Sequence, residues 1–253
     1  MPPISKEASN LSPPRTRGPS FFLKNLGSRL RGSDKRSLLR ILMALSIAAL
    51  PACAPHGHQP MHQRFDDAER WAKVFDDPER DAWQKPDDVI RALRLAPDAA
   101  VADICSGTGY FAVRLARAVP AGRVFGADLE PDMVRYLNER AAREKLPNLT
   151  SHVAAAHDPR IQAPVDLALM VNTYHHVAQR EKYFSGLRSS LKPRGRVAII
   201  DFKPESPVGP PARHRVPAGA VIEEMTRAGY ALETSPDVLP YQYLLVFTAR
   251  AGS

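Results

Sequence analysis

The rhythm of hydrophobic and polar positions changes several times along the 253 residues. Residues 1–36 mix Pro, Ser, Gly and Arg with no apolar period, the composition of a disordered segment. Lys35-Arg36 then precede a mostly apolar run, Leu38 to Leu50, whose clean part is Ile41 to Leu50. Crossing a membrane takes about 20 such residues. The run is too short for that and fits the apolar core of a secretory signal with a basic flank. An N-terminal amphipathic or buried helix is the alternative. Residues 54–64, with His56, His58 and His62 among Gly, Gln and Pro, read as a flexible tether. Clustered histidines can also hold a metal weakly.

From residue 65 the chain looks folded. Residues 65–95 alternate charges with Phe65, Trp71, Phe75 and Trp83, and Pro78 and Pro86 divide them into short helices, a helical cap. From 99 onward strands and helices alternate. Strands are expected at 99–104, 123–128, 150–153, 165–171 and 196–201. Helices are expected around Phe111–Val119, over Pro131–Lys145, over 178–191 and near 217–228. The turn Lys192-Pro193-Arg194-Gly195 stands before the fifth strand. Two last strands, Tyr230–Thr234 and Tyr241–Phe247, have no helix between them and are therefore antiparallel. The expected fold is α/β: a Rossmann-like, mostly parallel seven-stranded sheet with helices on both faces and a C-terminal antiparallel hairpin.

Charge alters this picture less than its total suggests. The net charge is +8, but residues 1–60 hold nine Lys/Arg against Glu7 and Asp34. The remaining 193 residues carry 26 basic and 25 acidic groups and are nearly neutral. A nucleic-acid binder carries its basic footprint on the folded domain, so no nucleic-acid partner is expected. Two cysteines, Cys53 and Cys105, exclude a disulfide framework and a cysteine-rich zinc site, and no metal is expected.

The chemistry concentrates in one loop. Gly107-Thr108-Gly109 follows a strand and opens a helix, so bare backbone can approach a ligand at the helix N-terminus. Asp128 lies 19 residues after Gly109 at the end of the next strand, where a carboxylate accepts both ribose hydroxyls. Those features alone suit NAD or any other adenosine ligand. Asp103, four residues before Gly107, would repel a pyrophosphate but suits a cationic amino-acid group.

Together, Asp103-Ile104-Cys105-Ser106-Gly107-Thr108-Gly109, Asp128, Leu191-Lys192-Pro193-Arg194-Gly195 and the closing hairpin resemble class I S-adenosylmethionine-dependent methyltransferases over about residues 85–250. The resemblance is nearest to the small-molecule branch that includes the ubiquinone/menaquinone C-methyltransferases. It implies a methyltransferase domain over 96–253 and S-adenosyl-L-methionine as cofactor. Asp103, Cys105, Ser106, Gly107, Gly109, Asp128, Leu129, Asp158 and Asn172 are the implied cofactor-binding residues. Cys105 stands where the family has its first loop glycine, and Ala154-Ala155-Ala156 where it often has an acidic residue. After the fourth strand come Asn172-Thr173-Tyr174-His175-His176. That segment often supplies catalytic or orienting groups in the family, so His175, His176 and Tyr174 are the catalytic candidates, a histidine taking the acceptor's proton. Asp201, His214, Arg215, Tyr241 and Tyr243 are further candidates for the pocket wall.

The implied acceptor is a small or lipid-like molecule. The thiol set of arsenic methylation is absent from a domain whose one cysteine is Cys105. The alternatives are an NAD(P)-dependent oxidoreductase and a non-catalytic envelope protein that keeps the fold. Leu50-Pro51-Ala52-Cys53 resembles the lipobox of bacterial lipoproteins. It implies a leader over 1–53 and a membrane anchor at Cys53, checked by globomycin-sensitive processing at that cysteine. The alternative location is the cytoplasm.

Overall fold

The computed structural model describes residues 65–250, so the leader, the tether and the lipobox-like Cys53 lie outside the described residues. Three helices come first: α1 (Ala68–Phe75), α2 (Asp81–Gln84) and α3 (Pro86–Leu93). A 3-10 turn, Pro78–Arg80, sits between α1 and α2. The strands are β1 (Ala100–Ile104), β2 (Arg123–Asp128), β3 (Leu149–Val153), β4 (Val165–Val171), β5 (Leu191–Phe202), β6 (Tyr230–Thr234) and β7 (Gln242–Ala249). Between them lie α4 (Ala112–Ala118), α5 (Pro131–Arg143), α6 (Arg180–Leu187) and α7 (Ala218–Arg227).

The strands form one sheet in the order β3-β2-β1-β4-β5-β7-β6. The first five are parallel, whereas β7 runs antiparallel to both β5 and β6. Helices cover both faces, and the near-continuous apolar runs of the strands follow from that. In β4, Leu167 and Leu169 face the layer of α3, α4 and α5 while Ala168 and Met170 face that of α6 and α7. Ala198 and Ile200 of β5 alternate with Val197 and Ile199 in the same way, as do Leu244 and Val246 of β7 with Leu245 and Phe247. Period-two alternation serves two cores at once.

The expected turn before the fifth strand is instead part of β5. Leu191 already pairs with Val165, and the register shifts before Leu167 meets Arg196. Lys192-Pro193-Arg194-Gly195 is thus a bulge inside a longer strand, with Arg194 at φ 67°. The helix expected over 178–191 is shorter for the same reason. It ends at Leu187, followed by the 3-10 turn Arg188–Ser190.

Chain order sets the position of the site. The chain works outward from β1 to β3, then returns to place β4 on the other side of β1. The crevice of an open α/β sheet lies where the order reverses, beyond the C-terminal ends of those strands. Asp103 and Asn172 sit at those two ends.

Candidate active site

A cavity of about 380 Å³ opens at this switch point. Its floor is the β1–α4 loop. Gly107 and Gly109 have φ of 52° and 93°, a region that glycine enters without strain. A Cβ on Gly109 would come within 2.2 Å of Leu137 Cδ1, so this loop must be bare for α5 to pack beneath it. A Cβ on Gly107 would instead meet the Phe75 ring at 3.5 Å, so α1 roofs the loop. Cys105 holds φ 59°, and its thiol lines the cavity and is pushed upward by burial.

Two carboxylates face each other across the loop. Asp103, 3% exposed, lines the cavity. Burial pushes its carboxyl up to about 7, the Asp128 charge adds to this, and the Ala112 N–H and Arg80 oppose it. Asp128 ends β2, where its Oδ2 accepts from Gly107 N at 2.8 Å and its Oδ1 from Glu130 N at 3.0 Å. Burial raises this carboxyl as well. Beyond Asp128 the wall turns apolar, with Leu129, Met133 and Ala154-Ala155-Ala156. Leu129 is 47% exposed, an uncovered apolar side chain at the mouth of a cavity.

The cavity also has aromatic walls. Phe65 and Phe75 line it beside His176, Val177, Ala178 and Tyr183. Phe65 packs edge-on to Trp71 at 4.9 Å and to His176 at 6.4 Å. His176 also contacts His175, with ring centroids 4.3 Å apart.

Of the residues expected from sequence, Asp103, Cys105, Ser106, Gly107, Asp128, Leu129, Asn172 and His176 line the cavity. Gly109 shapes the loop without lining it. Asp158 turns away: its carboxylate accepts from Arg160 N at 2.8 Å within an exposed turn. Tyr174 and His175 also leave the cavity, because the 3-10 turn Tyr174–His176 points successive side chains in different directions. Tyr174 is fully buried, and its hydroxyl donates to Glu224 Oε2 at 2.6 Å, beside Arg180. His175 Nδ1 lies 2.9 Å from Asp201 Oδ2, and its backbone N–H donates to the same oxygen. Asp201 therefore anchors the turn and does not reach the cavity.

Two of the remaining wall candidates make structural bonds instead. The Arg215 guanidinium donates to the carbonyls of Pro204, Ser206, Val208 and Pro210 and knots the proline-rich loop. The Tyr243 hydroxyl donates to Val216 O in the core. His214 and Tyr241 do not line the cavity. Sequence reading gave no site role to Arg80, Met133, Tyr183, Phe65 or Phe75. The short aromatic spacing before the domain was the one available signal for the roof.

The residues fit S-adenosylmethionine. A buried carboxylate at the end of β1 suits an ammonium, Asp128 suits ribose hydroxyls, and exposed Leu129 with the alanine wall suits an adenine face. Among the described residues no group of three or more His, Cys, Asp or Glu side chains could hold a metal ion. Nor is any described helix long and apolar enough to cross a membrane.

Comparison with known proteins bears on the fold and the cofactor. Residues 101–195 match the family described as methyltransferase domain. A methyltransferase of 2-phytyl-1,4-naphtoquinone from Trichormus variabilis is 33% identical over 103 residues, which are 40% of this chain and 45% of that protein. An arsenite methyltransferase from Halobacterium salinarum is 28% identical over 115 residues, 45% of this chain and 29% of that one. The chain thus spans about half or less of the length of these curated relatives. A crystal structure of an S-adenosylmethionine-dependent methyltransferase from Aquifex aeolicus superposes with a TM-score of 0.66. That similarity comes at 26% identity, covering 72% of this chain and 98% of that one. The fold is that of S-adenosylmethionine-dependent methyltransferases, and residues 101–195 carry the match to a methyltransferase domain, which implies S-adenosylmethionine as the cofactor. Nothing in the site asks for a nicotinamide cofactor.

Proposed function

We propose that the protein transfers a methyl group from S-adenosylmethionine to a small aromatic acceptor of the hydroquinone kind. One observation carries this reading: a single cavity is lined both by the Asp103 and Asp128 carboxylates and by the aromatic rings of Phe65, Phe75 and His176. When bound, S-adenosylmethionine supplies a methyl carbon whose bond to sulfur breaks with the electron pair going to sulfur. The chain's own residues have the simpler tasks of orientation, water exclusion and proton removal. Phe65 and Phe75 offer flat apolar faces to a ring. His176 is the wall residue suited to take a hydroxyl proton near neutral pH. Asp201 fixes His175 by two hydrogen bonds, and His175 backs the His176 ring, so His175 acts as a positioning residue. The naphtoquinone relative supports this acceptor class more than the arsenite relative does, because Cys105 is the one cysteine of the domain.

The test is transfer of labelled methyl from S-adenosylmethionine by the full chain to a demethylated naphthohydroquinone, a simple catechol and arsenite, side by side. Labelling of the hydroquinone or catechol is expected. Labelling of arsenite alone would overturn the acceptor class. His176→Asn should lower the rate by about 10²-fold or more, while S-adenosylhomocysteine binds as before. An unchanged rate would remove His176 from the chemistry.

A further inference from the structure

Arg80 stands on the 3-10 turn between α1 and α2, where it is half-buried and lines the cavity. Burial drags its pKa down to about 10. Nη1 donates to Phe75 O at 2.7 Å and Nε to Gln84 Oε1 at 3.3 Å, and the group stacks on the Tyr110 ring at 3.9 Å. All of these partners are neutral. Asp76 and Asp103 act on it only through space, and among the described residues it has no ion pair. A half-buried cation that lines a cavity without a bonded anion is placed to meet an anion that enters there.

Arg80 is also the one arginine or lysine in a wall that carries Asp103, Asp128 and Glu130. Three carboxylates and one guanidinium repel a polyanion such as a pyrophosphate. The same set accepts a single carboxylate that brings its own ammonium, because Asp103 and Arg80 then meet the two ends of one zwitterion.

Three carboxamides hold Arg80 in place. Gln84 Nε2 donates to Gln242 Oε1, Gln242 Nε2 to Asn172 Oδ1, and Asn172 Nδ2 to Gln84 Oε1 at 3.2 Å, which closes a ring. Gln84 and Gln242 are 0% and 1% exposed. Each amide spends a donor and an acceptor inside the ring, so removing one member strands buried partners. The ring joins α2, β7 and the residue after β4, and Arg80 leans on the Gln84 oxygen that closes it. Asn172, with φ 57°, holds the left-handed conformation that asparagine tolerates better than most residues.

We propose that Arg80 recognises the carboxylate of the cofactor's amino-acid end, with Gln84 as its positioning residue through the carboxamide ring. The inference rests on the S-adenosylmethionine reading above. Calorimetry on the full chain tests it with S-adenosylhomocysteine, its decarboxylated analogue and 5′-methylthioadenosine, which lacks the whole amino-acid end. The wild-type chain should prefer S-adenosylhomocysteine over the decarboxylated analogue by about tenfold or more, as a charge-assisted hydrogen bond allows. Arg80→Met should bring that ratio close to one while leaving 5′-methylthioadenosine affinity within about twofold, and Gln84→Leu should lower the ratio in part. Equal wild-type affinity for the first two compounds would overturn the role of Arg80 and leave the cofactor reading standing, as would an unchanged ratio in Arg80→Met. If none of the three binds, the cofactor reading itself falls and the inference with it. Should Arg80→Met fail to fold, the wild-type ratio still decides.

Discussion

Asp103 is a carboxylate that the fold keeps against its own preference. Burial and Asp128 raise it to about 7, opposed by the Ala112 amide and Arg80. A carboxyl raised in the folded state binds its proton more tightly than in the unfolded chain. The protein alone therefore loses stability as pH climbs from about 4 toward 7, and the whole penalty is present above 7. Asp103→Asn removes the charge and should raise the melting temperature of the ligand-free chain at pH 8. Each 1 kcal/mol recovered is worth about 2–4 °C in a chain of this size. The same substitution should abolish the pH dependence of cofactor binding. In the wild type, S-adenosylhomocysteine affinity should fall by up to about tenfold per pH unit below 7, as the site must lose a proton to meet an ammonium. Melting curves and titrations at pH 6 and 8 check both outcomes. A less stable Asp103→Asn chain at pH 8 would contradict them. Asp103, Gly107 and Asp128 were legible in the sequence because strand ends and glycine φ values are local facts. Arg80 was not legible, since its meaning depends on which cavity it enters and on having no anion bonded to it.

Among the elements, the cap matters most. α1 is not a free appendage: Ala68 N donates to Asp132 Oδ2 at the start of α5, and Arg140 of α5 reaches Asp76 Oδ1 at 2.8 Å and Thr108 O at 3.0 Å. One guanidinium thus joins the end of α1 to the glycine loop. Arg140→Met should cost about 1–2 kcal/mol of stability and weaken S-adenosylhomocysteine binding, with proteolysis between residues 65 and 85 becoming faster. Wild-type resistance to protease would show that the cap holds by its aromatic contacts alone. The sequence pattern predicted six of the seven strands to within about two residues: the central ones alternate between two apolar cores, whereas the edge strands β3 and β6 each bury one residue. It misplaced the start of β5, where a proline-containing bulge imitates a turn, and it treated Tyr174 and His175 as equals of His176. Three adjacent residues in a 3-10 turn look alike in sequence, and only the partners Glu224 and Asp201 separate them.

At the scale of the whole molecule, the sheet order places a carboxylate floor, a guanidinium and an aromatic roof around one cavity at the reversal between β1 and β4. Local sequence could name the floor. The roof needed tertiary structure, since Phe65, Phe75 and Arg80 precede the glycine loop and meet it only after folding. A ligand present at 100 times its Kd adds about 2.7 kcal/mol to the folded state. The most direct test is calorimetric titration of the full chain with S-adenosylhomocysteine and NAD in parallel, with Asp128→Ala as control. Saturable binding of S-adenosylhomocysteine, weakened at least tenfold by the substitution, and no heat with NAD is the expected result. Binding of NAD alone, or of neither ligand, would contradict the assignment of this cavity to S-adenosylmethionine.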